Sequence, residues 1–152
     1  MNNFRYARQR DNAILAALEN YQCLDTYQLA ILFFPSRKMA RKRMLELYKR
    51  KKVKRARIDI DQPNIYYLDK LDEHIAMINW ARLYLERKCA WGDTPISFDY
   101  KAMTITYENP LTKKSRQTKI ITGKQLNFGG STFPVDEQKI ENMREELLCG
   151  RH

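Results

Sequence analysis

Twelve basic side chains stand between Ser36 and Arg57: Arg37, Lys38, Arg41, Lys42, Arg43, Lys49, Arg50, Lys51, Lys52, Lys54, Arg55 and Arg57. Glu46 is the one carboxylate among them. Over the whole chain, 28 Lys and Arg face 18 Asp and Glu, so the other 16 cations are matched by 17 acids and nearly the entire charge of +10 belongs to this block. A solvated helix face usually alternates its charges at i,i+4 spacing. A run without acids repels itself until an anion neutralises it. The chemistry these residues can do is therefore to bind a polyanion. Nucleic acid is the expected partner, ahead of an acidic protein or a membrane surface.

Catalytic constellations are sparse. The two histidines, His74 and His152, lie at no metal-ligand spacing from a cysteine, and there is no CxxC pair. No phosphate-binding GxxxxGK[ST] or GxGxxG pattern occurs. Asp99, Glu108 and Lys119, on successive strand-like segments, are the candidates for a small metal-dependent nuclease. Asp59-x-Asp61 is a weak metal signal, and Gly129-Gly130-Ser131-Thr132 reads as a connection before it reads as a ligand loop. The expected chemistry is recognition, with no catalytic residue, no metal and no cofactor.

Several elements must position the basic block. Arg8 to Asn20 has helical periodicity through Ile14, Leu15 and Leu18, and Asp11 suits the positive end of that helix. Asp25 and Thr26 are good N-caps for a short apolar helix, Tyr27 to Phe34, which Pro35 stops. Ser36 caps the next helix, which the pattern carries to about Lys51. Its expected inward stripe is Ala40, Met44, Leu47 and Tyr48; its outward face holds Arg37, Lys38, Arg41, Lys42 and Lys49 with Leu45. Two strand-like runs follow, Val53 to Ile60 and Ile65 to Leu68, separated by the turn-forming Asp61-Gln62-Pro63-Asn64.

Helix, short helix, tight turn, basic helix and hairpin come in the order of a winged helix-turn-helix, whose third helix enters the major groove of DNA. The expected contacts are Arg37, Lys38, Arg41, Lys42 and Lys49 on the helix, with Lys54, Arg55 and Arg57 at the base of the wing. Asp59 and Asp61 keep the wing tip from approaching phosphates. Leu18, Leu29, Met44 and Leu47 are expected to share the core.

Past the hairpin, Asp69 or Asp72 can cap a long helix reaching Lys88 or Cys89. Its apolar residues, including Ile75, Ile78, Trp80, Leu83 and Tyr84, spread round more than half its circumference. One face suits the winged helix; the other suits the C-terminal segment or a second copy, so a homodimer is possible. Ala90 to Pro95 reads as a boundary. Beyond it come three strands (Ile96 to Tyr100, Met103 to Tyr107 and Lys119 to Thr122), a loop from Gly123 to Pro134, and a closing helix from Asp136 to Leu148. The fold class is α+β: a winged helix-turn-helix over residues 1–69, a connecting helix over 70–90 and a small α+β appendage over 95–152.

The longest apolar stretch, Leu29 to Pro35, is far short of the ~20 residues a membrane span needs. The N-terminus lacks the apolar core of a signal peptide, and Cys23, Cys89 and Cys149 are odd in number and far apart. A cytoplasmic chain with reduced thiols and no membrane partner is expected.

The stretch from Asp11 to Arg55 resembles the N-terminal domain of the bacterial replication-relaxation family. Ile14, Leu15 and Leu18 match that family's first motif, and Leu24, Thr26, Gln28, Leu29 and Ala30 its second. Arg43, Met44, Leu47, Val53 and Arg55 match the third, and Ile65-Tyr66-Tyr67-Leu68 matches its second wing strand. The resemblance covers about residues 9–70. Lys51-Lys52 departs from it by replacing the usual Gly turn. The resemblance implies binding of double-stranded DNA in replication control or transcriptional regulation of a plasmid, phage or other mobile element. A protein-interaction or RNA-binding module is the alternative, RNA being weaker because no aromatic stacking motif is present.

Overall fold

The computed structural model describes residues 3–88, 92–122 and 131–149. The chain is α+β and divides into two compact units, residues 1–79 and 80–152.

In the first unit, α1 (Asn3–Tyr21) is followed by β1 (Cys23–Asp25), α2 (Thr26–Phe33), α3 (Arg37–Lys49), β2 (Lys54–Ala56) and β3 (Ile65–Tyr67). The start of α4 (Glu73–Arg87) completes the unit. Helix α1 begins earlier than its apolar periodicity announces. Asp11 is consequently a mid-helix residue that pairs with Arg43 of α3, and it does not serve the helix dipole. Gln22 takes a φ of 69° and ends α1 in a left-handed cap. The next three residues form a strand that periodicity cannot reveal. Strand β1 pairs antiparallel with β3, Leu24 opposite Tyr66, and β3 pairs with β2, giving the order β1-β3-β2.

Reciprocal bonds open α2: Asp25 Oδ1 accepts from the Gln28 amide at 2.8 Å, and Gln28 Oε1 accepts from the Asp25 amide at 2.9 Å. Gln28 is fully buried, and its Nε2 donates to the Ala76 carbonyl at 2.8 Å. Ser36 Oγ accepts from the Met39 amide and caps α3. That helix ends at Lys49, and Lys51 follows in the left-handed region with φ 59°. The amides of Lys52 and Lys51 reach back to the carbonyls of Leu47 and Tyr48, a Schellman closure in which glycine is the usual residue.

Ile14, Leu18, Leu24, Leu29, Ala40, Met44 and Leu47 are all buried in this unit. Tyr48, expected to face inward with them, is 40% exposed. It lies about 100° round the helix from Leu47 and supports Arg55 from below. The hairpin strands are shorter than the apparent alternation from Val53 to Ile60, for pairing stops at Ala56. Ile58 and Ile60 belong to the connecting loop and are exposed.

Asp72, not Asp69, caps α4 by accepting from the Ile75 amide at 3.2 Å. Asn79 Nδ2 donates to the carbonyls of Tyr21 and Cys23. The second unit holds the rest of α4, a sheet of β4 (Thr94–Asp99), β5 (Thr104–Glu108), β6 (Ser115–Thr122) and β7 (Ser131–Val135), and α5 (Glu137–Cys149). The sheet order is β4-β5-β6-β7, with β6 and β7 parallel and the other pairs antiparallel. Strand β7 replaces the end of the expected loop; residues 123–130, with Gly129 and Gly130, lie outside the described residues, as do Cys89 and His152. Ile105, Tyr107, Ile120, Val135, Met143 and Leu147 are buried here. Arg82 is also buried, bonded to Glu86 at 2.7 Å and to the Tyr100 hydroxyl at 2.9 Å.

Of the apolar residues of α4, Ile75, Ile78, Trp80 and Leu83 are buried and Tyr84 is half-buried. Among the described residues no helix is long and apolar enough to cross a membrane.

Candidate nucleic-acid interface

The buried stripe of α3 fixes what the opposite face presents. With Ala40, Met44 and Leu47 inward, Arg37, Lys38, Arg41, Lys42 and Lys49 are all exposed. Arg37 and Arg41 stand one turn apart, as do Lys38 and Lys42, so the face carries two adjacent rows of cations. None of these five forms an ion pair among the described residues. Arg43 turns the other way. It donates to Asp11 on α1 from Nε, at 2.9 Å, and from a terminal nitrogen, and it also reaches Glu46 at 2.8 Å. The bond to Asp11 raises the Arg43 pKa against the opposing effect of burial, with Glu46 adding a smaller push. Asp11 and Glu46, acids that could blunt this surface, are thus both spent on Arg43.

From the hairpin, Lys54 and Arg57 are exposed and Arg55 is half-buried. The Arg55 guanidinium lies 4.1 Å from the centroid of the Tyr48 ring. Tyr48, Lys49, Lys54 and Arg55 line one groove. At the start of α3 a second groove is lined by Arg37, Arg41 and Arg57 together with Tyr27. All eight cations expected to bind are therefore on α3 or the adjoining hairpin: Arg37, Arg41 and Arg57 in one groove, Lys49, Lys54 and Arg55 in the other, and Lys38 and Lys42 on the exposed face between. Asp59 and Asp61 are exposed in the hairpin loop, past the last paired residue.

Three side chains at this surface escape a linear reading. Tyr27 lies 4.8 Å beneath the Arg37 guanidinium, and Tyr48 supports Arg55. Arg10, from α1, stacks 4.6 Å over the Phe34 ring and joins Met39, Lys42, Arg43 and Glu46 around a third groove. An aromatic side chain interleaved with the basic run is a sequence signal for Tyr48; Tyr27 lies outside the run. Arg10 is brought in by tertiary packing alone.

The nuclease candidates are not gathered. Thr104 of β5 sits opposite both Asp99 and Lys119, while Glu108 is four residues farther along that strand. At strand rise this separates Glu108 from the other two by about 13 Å. Asp99 instead closes the β4–β5 turn, accepting from the amides of Lys101 and Ala102. Among the described residues no group of three or more His, Cys, Asp or Glu could hold a metal ion. Cys23 is buried and Cys149 exposed, both as free thiols.

No family model, curated protein or solved structure matches the chain.

Proposed function

We propose that this chain binds double-stranded DNA through a winged helix-turn-helix formed by residues 1–69. Helix α3 is then the recognition helix and β2–β3 the wing. One observation carries the reading: the exposed face of α3 bears five cations and no paired acid, while Arg43, the cation on its inner side, is neutralised within the fold. Strand β1 supports it too, because it joins the hairpin into a three-stranded sheet beside the three helices. A helix of this width fits the major groove, where Arg and Lys read base edges and neighbouring cations meet phosphates. Sequence preference would come from Lys38 and Lys42, which face directly away from the buried stripe. Arg37, Arg41, Lys49, Lys54, Arg55 and Arg57 would contribute mainly to affinity. The resemblance to the replication-relaxation family gives this binding a role in replication control or transcriptional regulation of a mobile element.

The test is binding to duplex DNA as a function of salt. Five or six phosphate contacts predict a slope of about −5 in log K against log salt. Selection from random duplexes should enrich one motif. A slope near zero would remove the reading, and salt-sensitive binding without any enriched motif would reduce it to non-specific binding.

A further inference from the structure

We propose that Arg37, Arg41 and Arg57 close on a single phosphodiester group of duplex DNA in the groove between the start of α3 and the hairpin loop, with Tyr27 as the positioning residue for Arg37. The inference rests on the DNA-binding reading and assigns three of its cations to one shared contact. The groove has a volume of about 190 Å³, ample for a phosphate group with water still around it, since a water in liquid occupies roughly 30 Å³. Its walls are tied together. The Thr26 amide donates to the Asn64 carbonyl at 3.1 Å and the Thr26 hydroxyl to the same oxygen at 3.3 Å. Those bonds join the N-terminus of α2 to the end of the hairpin loop. The capping bonds between Asp25 and Gln28 fix the next residues of α2.

Three guanidiniums from two separate elements line this groove, and Asp61 is its one carboxylate. Asp61 forms no ion pair with them. The groove therefore holds an excess of like charge that an oxyanion relieves. The guanidinium fork matches phosphate oxygens two at a time. Stacking on Tyr27 restricts Arg37 before any ligand arrives, which lowers the entropy lost on binding. Asp61 opposes an incoming phosphate and limits the affinity of the site.

A double-mutant cycle in duplex binding tests this, because side chains sharing one phosphate couple and independent ones do not. Arg37→Gln and Arg57→Gln should each weaken binding about tenfold. Together they should lose clearly less than the product of the two effects. Lys49→Gln with Arg57→Gln, which line separate grooves, should multiply. Tyr27→Leu should weaken the parent chain and have little effect once Arg37 is Gln. Asp61→Asn should tighten binding, and less so when Arg57 is Gln. If the parent binds with the expected salt slope but Arg37→Gln and Arg57→Gln multiply as the control pair does, the shared contact is wrong while DNA binding stands. If the parent shows no salt-dependent binding, the underlying reading fails and takes the clamp with it. Duplexes with and without 5′-phosphates should bind equally; a requirement for the terminal phosphate would overturn the assignment to the phosphodiester backbone.

Discussion

Arg43 and its neighbours Arg41 and Lys42 are consecutive cations with opposite duties. Arg43 belongs to the fold: it is 80% shielded at the side chain and bound to Asp11, itself similarly enclosed. Removing one partner leaves the other charge poorly solvated, so Asp11→Ala should lower stability by about 1–3 kcal/mol in urea unfolding. The same change should not weaken DNA binding, because Arg43 keeps Glu46 as a partner; a loss of affinity at unchanged stability would put Arg43 in the interface. Cys23 is held in a comparable way. Burial, the largest cause, raises its thiol pKa, and the nearby Asp72 carboxylate adds to this against a lowering bond from the Asp72 amide. A proton held more tightly in the folded state makes stability fall as pH rises past the unfolded thiol's pKa of about 8.5. Cys23 should accordingly react with a thiol reagent only as fast as the first unit opens, whereas exposed Cys149 should react at once. Peptide mapping of the modified chain separates the two, and rapid labelling of Cys23 in the native protein would refute its protection.

Helix α3 shows how an element can be encoded redundantly at one end and poorly at the other. Ser36 caps it, and Ala40, Met44 and Leu47 repeat at helical spacing along its inner face. Leu47→Ala should cost ~2–5 kcal/mol through the lost contacts and the cavity left behind; a melting curve unchanged from the parent would mean that the helix is rotated and the exposed cations are misassigned. At the other end Lys51 adopts φ 59° in the Schellman turn. A side chain in this region costs about 1 kcal/mol or more, so Lys51→Gly should stabilise the chain by roughly that amount, measurable in the same unfolding experiment. These features were legible because capping and periodicity are local. The stripe of Ala40, Met44 and Leu47, the Asp25 cap and the burial of Leu18, Leu29, Met44 and Leu47 all follow from residues within a turn or two of each other, whereas Tyr48, added to that stripe by its spacing, is exposed and Gln28's part in the cap goes unsignalled. Strand β1 was not legible, since Cys23–Asp25 is only three residues long and finds its partner, β3, some forty residues later. Strand β7 was obscured by Pro134 and by its parallel pairing with β6. Asp11 was misread because a carboxylate near an apparent helix start and one reaching across to a second helix look the same in sequence. Of the site, the cation rows on α3 were visible from spacing, but the meeting of Arg37 and Arg57 in one groove depends on how the hairpin folds back.

Across the whole molecule, charge and fold are distributed unevenly. The block from Ser36 to Arg57 holds twelve cations and one acid, and it lies wholly in the first unit. Cations held this close repel one another in the folded state and less so in the expanded unfolded chain, where they move apart. Moderate salt screens that repulsion over a Debye length of about 8–10 Å, so raising ionic strength from very low to about 0.15 M should raise the melting temperature of the first unit in the absence of ligand. Duplex DNA should also raise it, by neutralising the same charges and by binding the native state alone. At a free DNA concentration of 100 times Kd, linkage contributes about 2.7 kcal/mol, or roughly 10–20 °C for a unit of this size. The two effects must then oppose each other, because salt weakens the DNA complex as it stabilises the free protein. Scanning calorimetry across a salt series should show the free protein's transition rising while the increment from DNA shrinks. An increment that survives at high salt would point to contacts other than phosphate pairing, and a free protein that melts lower as salt is added would show that attractive pairs such as Arg43–Asp11 outweigh the repulsion of the block.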